Sequence, residues 1–440
     1  MAKKKNKERI ISIIFLILRE ESLGHKDVDH ILPFLYFLSK SNDIKYTARG
    51  IIFDNKKNYI KSLDPRIKLL SKLKNVKLDF LYEDNIIFKI KQFLKLEGNS
   101  FFANFLNRIV NKIYINYLNK VQNNINFESR LGKDFIKSDF PLIITMHSNY
   151  RVQKFISQIK KKNQRAKWMI LPHGTTVADN KMNLISDLNK EEVSKNENRY
   201  SNIDFFLQTS KRDLEEECSK GMPKNKGFVI GSPRFCMEWM KIKSNLKLDS
   251  KKVINSKNYK IKALFCLPKK DQNIFWDELI RSIDFISSYK KIDLIILNYN
   301  NIYPKIPNSI SKRLNVRQYL ISKEYSTSEL IEWADVVFHA GTSVIFEFFI
   351  KHKISVFLRH LSCNTLISDK HYNAGLNLSN RDELRTFCND AIFSLKKLKK
   401  NYKKKCKIYN KKFIDDFVYG NSKSVKQNII KTLLKIRDRF

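Results

Sequence analysis

The stretch Ala334–Phe357, ADVVFHAGTSVIFEFFIKHKISVF, constrains the fold more than any other part of the sequence. Asp335–Phe338 is a short apolar run of strand type, and His339–Ala340–Gly341 reads as a tight turn. Val344, Ile345, Phe346, Phe348 and Phe349 then carry an apolar helical pattern, and a second apolar run follows at Ile354–Leu358. Strand, helix and strand in such short order make a βαβ unit, whose strands run parallel and whose sheet is covered by helices. Thr342 and Ser343 stand where the helix N-cap belongs. Backbone N–H groups and hydroxyls at a helix start attract a phosphate, by about 0.3–1 kcal/mol when exposed and up to about 2 kcal/mol when partly buried. Glu347 follows one turn later, where a carboxylate can take the two hydroxyls of a ribose. The same residues also describe an ordinary capped βα turn.

The alternation continues along the chain. Apolar runs of strand length fall at Ile10–Leu18, Ile44–Phe53, Val76–Tyr82, Pro141–Met146, Lys167–Leu171, Ile203–Gln208 and Gly227–Ile230, and again at Lys260–Leu267, Ile292–Leu297 and Val316–Ile321. Helical patterns lie between most of them, Asp29–Lys40 and Val152–Lys162 being the clearest. At 440 residues the chain exceeds what one core usually spans. The expected fold is therefore α/β, with two Rossmann-like doubly wound domains facing across a cleft. Residues 1–240 form the first, with a helical insertion near 86–121; 241–259 is a lysine- and serine-rich linker; 260–395 form the second; 396–440 are a basic C-terminal helical segment.

Lys+Arg 84 against Asp+Glu 44 gives a formal charge of +40, which implies attraction to polyanions, anionic headgroups or phosphorylated substrates. The excess is mostly lysine and comes with many Asn and Ile, as an AT-rich genome produces without selection for a partner. No RNA- or DNA-binding signature accompanies it, so no specific nucleic-acid partner is expected. Lys396–Lys412 carries ten lysines, read either as a solvated helix face or as a strip for an anionic membrane surface. The six cysteines show no CxxC spacing and read as reduced thiols of a cytoplasmic protein. Ile10–Leu18, behind a lysine-rich start, imitates a signal peptide but lacks a small-residue cleavage site and is too short to span a membrane; it reads as a buried strand.

Three strand ends of the first half carry polar clusters: His147–Ser148–Asn149, Pro172–His173–Gly174–Thr175 and Gly231–Ser232–Pro233–Arg234. Gly174 permits a sharp turn after His173, and an imidazole titrating near pH 6.5 suits general-base work. A strand-end histidine is also a common structural hydrogen-bonder.

PHGT at 172–175, GSPRF at 231–235 and ADVVFHAGTSVIFEF at 334–348, in this order, resemble bacterial GT-B glycosyltransferases of surface and capsular polysaccharides, a group related to the CDP-glycerol glycerophosphotransferases. The resemblance covers roughly Pro141–Leu358. It implies that His173 serves catalysis as base or orienter of an acceptor hydroxyl; His147, at the end of the strand Pro141–Met146, is the second catalytic candidate, past which the acceptor would enter. Arg234, Gly341, Thr342, Ser343 and Glu347 would hold the donor: Arg234 and the hydroxyl pair its phosphates, Glu347 its ribose. A K/R-P-H segment common in relatives is replaced by Leu297–Asn298–Tyr299–Asn300, which leaves the donor's identity open. No Asp-x-Asp pair lies at a strand end, so helix dipole and basic side chains stand in for a metal, and no cofactor is expected.

The function so implied is transfer of a group from a nucleotide-activated sugar or glycerol donor to a glycan or lipid-linked acceptor, in the cytoplasm or on the inner face of the membrane. Two other readings stay open: an enzyme like UDP-N-acetylglucosamine 2-epimerase, and a non-catalytic scaffold that binds nucleotide sugars.

Overall fold

A computed structural model describes residues 10–17, 27–55, 65–82, 131–146, 150–172, 200–245, 259–268, 274–298, 306–320, 327–363 and 365–439. The expected insertion at 86–121 lies outside them, as do residues 246–258 of the expected linker.

The first sheet contains β1 (Ile11–Ile17), β2 (Tyr46–Asn55), β3 (Val76–Tyr82), β4 (Pro141–Thr145), β5 (Lys167–Ile170), β6 (Phe205–Gln208) and β7 (Gly227–Val229), in the order β3-β2-β1-β4-β5-β6-β7. Pairings from β3 through β6 are parallel. Every residue of β1 and β4 is buried, as befits strands covered on both faces. Helices α1 (Val28–Ser39), α2 (Pro65–Ser71), α3 (Lys133–Ile136), α4 (Tyr150–Lys162), α5 (Lys211–Ser219) and α6 (Met237–Lys243) accompany it.

The second sheet holds β8 (Ile261–Cys266), β9 (Ile292–Asn298), β10 (Val316–Leu320), β11 (Val336–His339), β12 (Ile354–Leu358) and β13 (Leu376–Leu378), ordered β10-β9-β8-β11-β12-β13. All its pairings are parallel. The connecting helices are α7 (Trp276–Ser288), α8 (Asn308–Ser311), α9 (Thr327–Trp333), α10 (Ile345–Ile350) and α11 (Ile367–Lys370), before the long α12 (Arg381–Phe417) and α13 (Val425–Arg437). Phe265 and Phe338 stack across neighbouring strands in its core. Full burial of each such side chain contributes roughly 1.5–3 kcal/mol.

By packing, the chain divides into two compact units. One comprises Met1–Leu171, Ser201–Phe206 and Ile429–Phe440; the other comprises Pro172–Tyr200 and Leu207–Asn428. The Gly231–Phe235 turn thus belongs with the second sheet. Gly231 adopts φ +81°, and a Cβ there would lie 2.5 Å from the carbonyl oxygen of Val418. Ser232 N–H donates to that same oxygen at 2.7 Å, so the turn is clamped onto the chain between α12 and α13.

Two devices shape α12. Asn380 caps it, accepting from Glu383 N–H at 2.8 Å, while the Glu383 carboxylate accepts from Ser379 N–H at 2.7 Å. At Ser394 the backbone leaves helical geometry (φ −142°, ψ 44°) and the helix kinks. Beyond the kink, Tyr402, Asn410, Phe413 and Phe417 form a buried stripe at helical spacing. The Tyr402 hydroxyl accepts from Ser355 N–H of β12 at 3.1 Å, and Asn410 Oδ1 accepts from Gly375 N–H at 3.2 Å.

Candidate functional site

In the second sheet the chain leaves β8 toward β9 and β10 on one side, and leaves β11 toward β12 and β13 on the other. The carboxyl ends of β8 and β11 therefore flank the point where the winding reverses, which in open α/β sheets is where ligands bind. Cys266 and His339, the last residues of these strands, stand opposite each other in register. Ala340–Gly341–Thr342–Ser343 follows directly from this edge.

Gly341 takes φ +115°, a backbone that other residues rarely adopt, and among the described residues only Leu366 Cδ2, at 3.4 Å, would lie near an added Cβ. The strand reaches one residue further than its apolar run suggests, because His339 is fully buried rather than part of the turn. Its Nδ1 accepts from Gly341 N–H at 3.3 Å, and Nε2 lies 2.9 Å from Ser355 Oγ. The ring is thus a neutral Nε2–H tautomer that fixes the turn's first N–H. Burial lowers its pKa to about 3.

Helix α10 starts one residue later than the sequence suggests. Its cap is Val344, which has no side-chain bond of its own, and Val344 N–H donates to Thr342 Oγ1 at 3.3 Å. The Thr342 hydroxyl thus serves the helix start from two residues before the cap. Thr342 is buried and Ser343 half-buried.

Glu347 is 1% exposed and lies between two lysines. Lys243 Nζ, from α6, donates to Oε2 at 3.1 Å, and Lys351 Nζ pairs with Oε1 at 3.4 Å. Burial works against the charge, but Lys243 and Lys351 together outweigh it and hold the carboxyl below its usual range. Nothing in the sequence pattern marks Lys243, one lysine among many at the edge of the expected linker.

The Arg234 segment comes to the same helix. Phe235 packs on Phe346 of α10 with ring centroids 5.2 Å apart, and the Arg234 guanidinium lies over the Phe235 ring at 4.9 Å. The structure therefore gathers Arg234, Thr342, Ser343 and Glu347 about one short helix. His147 and His173 lie outside the described residues. The strands before them, β4 and β5, pair side by side with Thr145 opposite Ile170.

Sequence reasoning passed over Asp213. Ser210 caps α5 by accepting from Asp213 N–H at 3.0 Å, and Thr209 Oγ1 donates to the Asp213 carboxylate. Burial raises this carboxyl to about 6, against the pull of both hydroxyls. The Ser-x-x-Asp spacing was the available signal. Among the described residues, no group of three His, Cys, Asp or Glu side chains is placed to hold a metal ion. No helix there is long and apolar enough to cross a membrane.

No protein-family model and no curated protein matches the sequence. Solved structures do match the fold. The UDP-GlcNAc 2-epimerase from Neisseria meningitidis, bound to UDP-GlcNAc, superimposes with a TM-score of 0.55 at 14% identity, covering 97% of this chain and 100% of that one. The Methanocaldococcus jannaschii UDP-GlcNAc 2-epimerase in complex with UDP-GlcNAc and UDP gives 0.51 at 13%, covering 98% and 100%. The glycotransferase of kitacinnamycin gives 0.52 at 8%, covering 98% and 99%. The chain has the two-domain α/β fold of these proteins, of GT-B type.

Proposed function

We propose that the chain is a nucleotide-sugar enzyme. In this reading it transfers a group from a nucleotide-activated sugar or glycerol donor to a glycan or lipid-linked acceptor, in the assembly of cell-surface polysaccharide. It would work in the cytoplasm, on the inner face of the membrane. The observation that carries the reading is the Gly341–Thr342 turn at the β8/β11 reversal, held in place by a buried histidine that accepts from Gly341 N–H.

The donor's diphosphate would lie against Gly341, Thr342 and Ser343, with Arg234 offsetting the charge that develops on the leaving nucleotide. Glu347, kept ionised by its lysines, is in the state that accepts from ribose hydroxyls; binding would exchange part of its lysine contact for the sugar. His173, with His147, would act on the acceptor hydroxyl as base or orienter. The chemistry needs the acceptor oxygen to attack the carbon or phosphorus that carries the nucleotide, while the nucleotide leaves with the bonding electrons.

Incubation with UDP-, CDP-, CMP- and GDP-activated donors and candidate acceptors tests this. Acceptor-dependent release of free nucleotide is expected, with turnover in His173→Ala lower by a factor on the order of 100. Full activity in that variant would remove His173 from catalysis. The fold likeness equally supports an epimerase reading. Sugar epimerisation without any acceptor would establish that reading instead.

A further inference from the structure

Along its middle, the outward face of α12 is basic without an acidic interruption. From Ala391 to Ile414 the sequence has ten lysines, no arginine and no acidic residue. Solvated helices ordinarily interleave acids with bases at i,i+4, because such pairs are mildly stabilising and like pairs are mildly destabilising. Here Lys396, Lys400 and Lys404 repeat like charges at that interval. The described partners do not relieve them. Lys399 pairs with Asp335 at 2.6 Å and Lys405 reaches the Gly375 carbonyl at 3.4 Å, both toward the body of the protein. Among the described residues no acidic side chain pairs with Lys396, Lys397, Lys400, Lys403, Lys404, Lys411 or Lys412, all of which are exposed.

Helical geometry sorts these residues. Tyr402, Asn410, Phe413 and Phe417 face the core, so Lys397, Lys400, Lys404, Ile408 and Lys411, at steps of three and four, share the opposite side. This stripe runs for roughly 21 Å at about 1.5 Å per residue. Large apolar side chains stand out along it: Ile408 is 70% exposed, Tyr409 beside it 41%, and Phe393, just before the kink, 80%.

We propose that this face docks on an anionic lipid bilayer, the lysines meeting headgroups while Ile408, Tyr409 and Phe393 enter the boundary layer. Charge complementarity fixes the sign of the partner, and the apolar tips select a bilayer over a nucleic acid. The absence of arginine points the same way: arginine's planar fork suits discrete phosphates, whereas lysine is a point charge suited to a diffuse anionic surface. The proposal stands on the helix alone and survives failure of the transfer reading.

The test is co-sedimentation of the full chain with phosphatidylcholine vesicles, with and without phosphatidylserine, at low and raised salt. Binding is expected only to the anionic vesicles and is weakened by salt. A variant carrying Lys397→Gln, Lys400→Gln, Lys404→Gln and Lys411→Gln should partition roughly several hundred-fold less, since each surface lysine contributes about a factor of five. Substitution of Lys72, Lys74, Lys77 and Lys137, exposed lysines elsewhere, removes the same charge and should change binding only slightly. Ile408→Ser should weaken binding several-fold with no change of charge.

Circular dichroism would show both lysine variants folded, because the replaced side chains are exposed. Three results overturn the proposal: no preference for anionic vesicles, equal loss in the two four-lysine variants, or displacement of the protein from vesicles by duplex DNA or RNA at equal phosphate concentration.

Discussion

Asp213 and His339 are both buried and both shifted, and their effects on stability have opposite signs. Burial raises the Asp213 carboxyl from its ordinary 3.8 to about 6, so the folded state holds an extra proton between those limits. Its contribution therefore becomes more favourable as pH falls from about 6 to 4. His339 is lowered from 6.5 to about 3, so its contribution is fully present above 6.5 and is lost as pH falls toward 3. The two offset one another between about pH 6 and 4. Asp213→Asn should unmask the histidine: the variant is more stable than the parent at pH 8, by about 3 kcal/mol, and its melting temperature drops more steeply between pH 6.5 and 4.5. Parallel melting curves against pH would exclude the offset. Glu347 gives a different profile. Its lowered carboxyl stabilises the fold above the usual glutamate pKa, and that contribution is lost as pH falls through the lower folded value. Glu347→Gln should destabilise by about 3 kcal/mol at pH 7, since Lys243, mostly buried, loses its carboxylate, while Lys351 keeps Glu332 at 3.1 Å. The difference should shrink below about pH 4. Thermal melts across that range decide it.

At the level of elements, the GSPR turn depends on the hairpin between α12 and α13. Gly231→Ala would place a methyl group 2.5 Å from the Val418 carbonyl oxygen at φ +81°, whereas Gly221, at φ +96°, has nothing within 4 Å. Gly221→Ala bears the backbone strain alone, about 1–3 kcal/mol. Gly231→Ala should lose at least about 2 kcal/mol more, because backbone rather than a flexible side chain must move. Urea midpoints of the two variants test this, and equal losses would show that the clamp yields. The strands were legible because buried parallel strands are near-continuous apolar runs; Val76–Tyr82 and Ile354–Leu358 match residue for residue. β13 was missed because Leu376–Leu378 is three residues long and has a polar Asn377 at its centre. Thr342–Ser343 read as the cap because their residue types suit the role, but the helix caps at Val344, one residue after Ser343, and the Thr342 hydroxyl reaches forward to its N–H. Lys243 could not have been assigned to Glu347, since a pair 104 residues apart leaves no periodic trace.

For the whole molecule, the two sheets followed from the alternation of apolar runs, while their strand order, with the reversal between β8 and β11, and the grouping of Leu207–Asn428 into one unit did not. That grouping depends on contacts made by the C-terminal helices, whose inner stripe of Tyr402, Phe413 and Phe417 is hidden in the sequence among ten lysines. A shared fold at 8–14% identity leaves the chemistry to the site itself. Nucleotide binding at the Gly341–Thr342 turn is the claim on which the transfer and epimerase readings both depend. A thermal-shift titration of the full chain with UDP, CDP, CMP and GDP tests it most directly. At about 100 times its dissociation constant a ligand adds about 2.7 kcal/mol to folding stability. One nucleotide family should raise the melting temperature of the parent, and Thr342→Ala with Ser343→Ala should largely abolish the rise. No shift with any nucleotide, or an undiminished shift in that double variant, would contradict it.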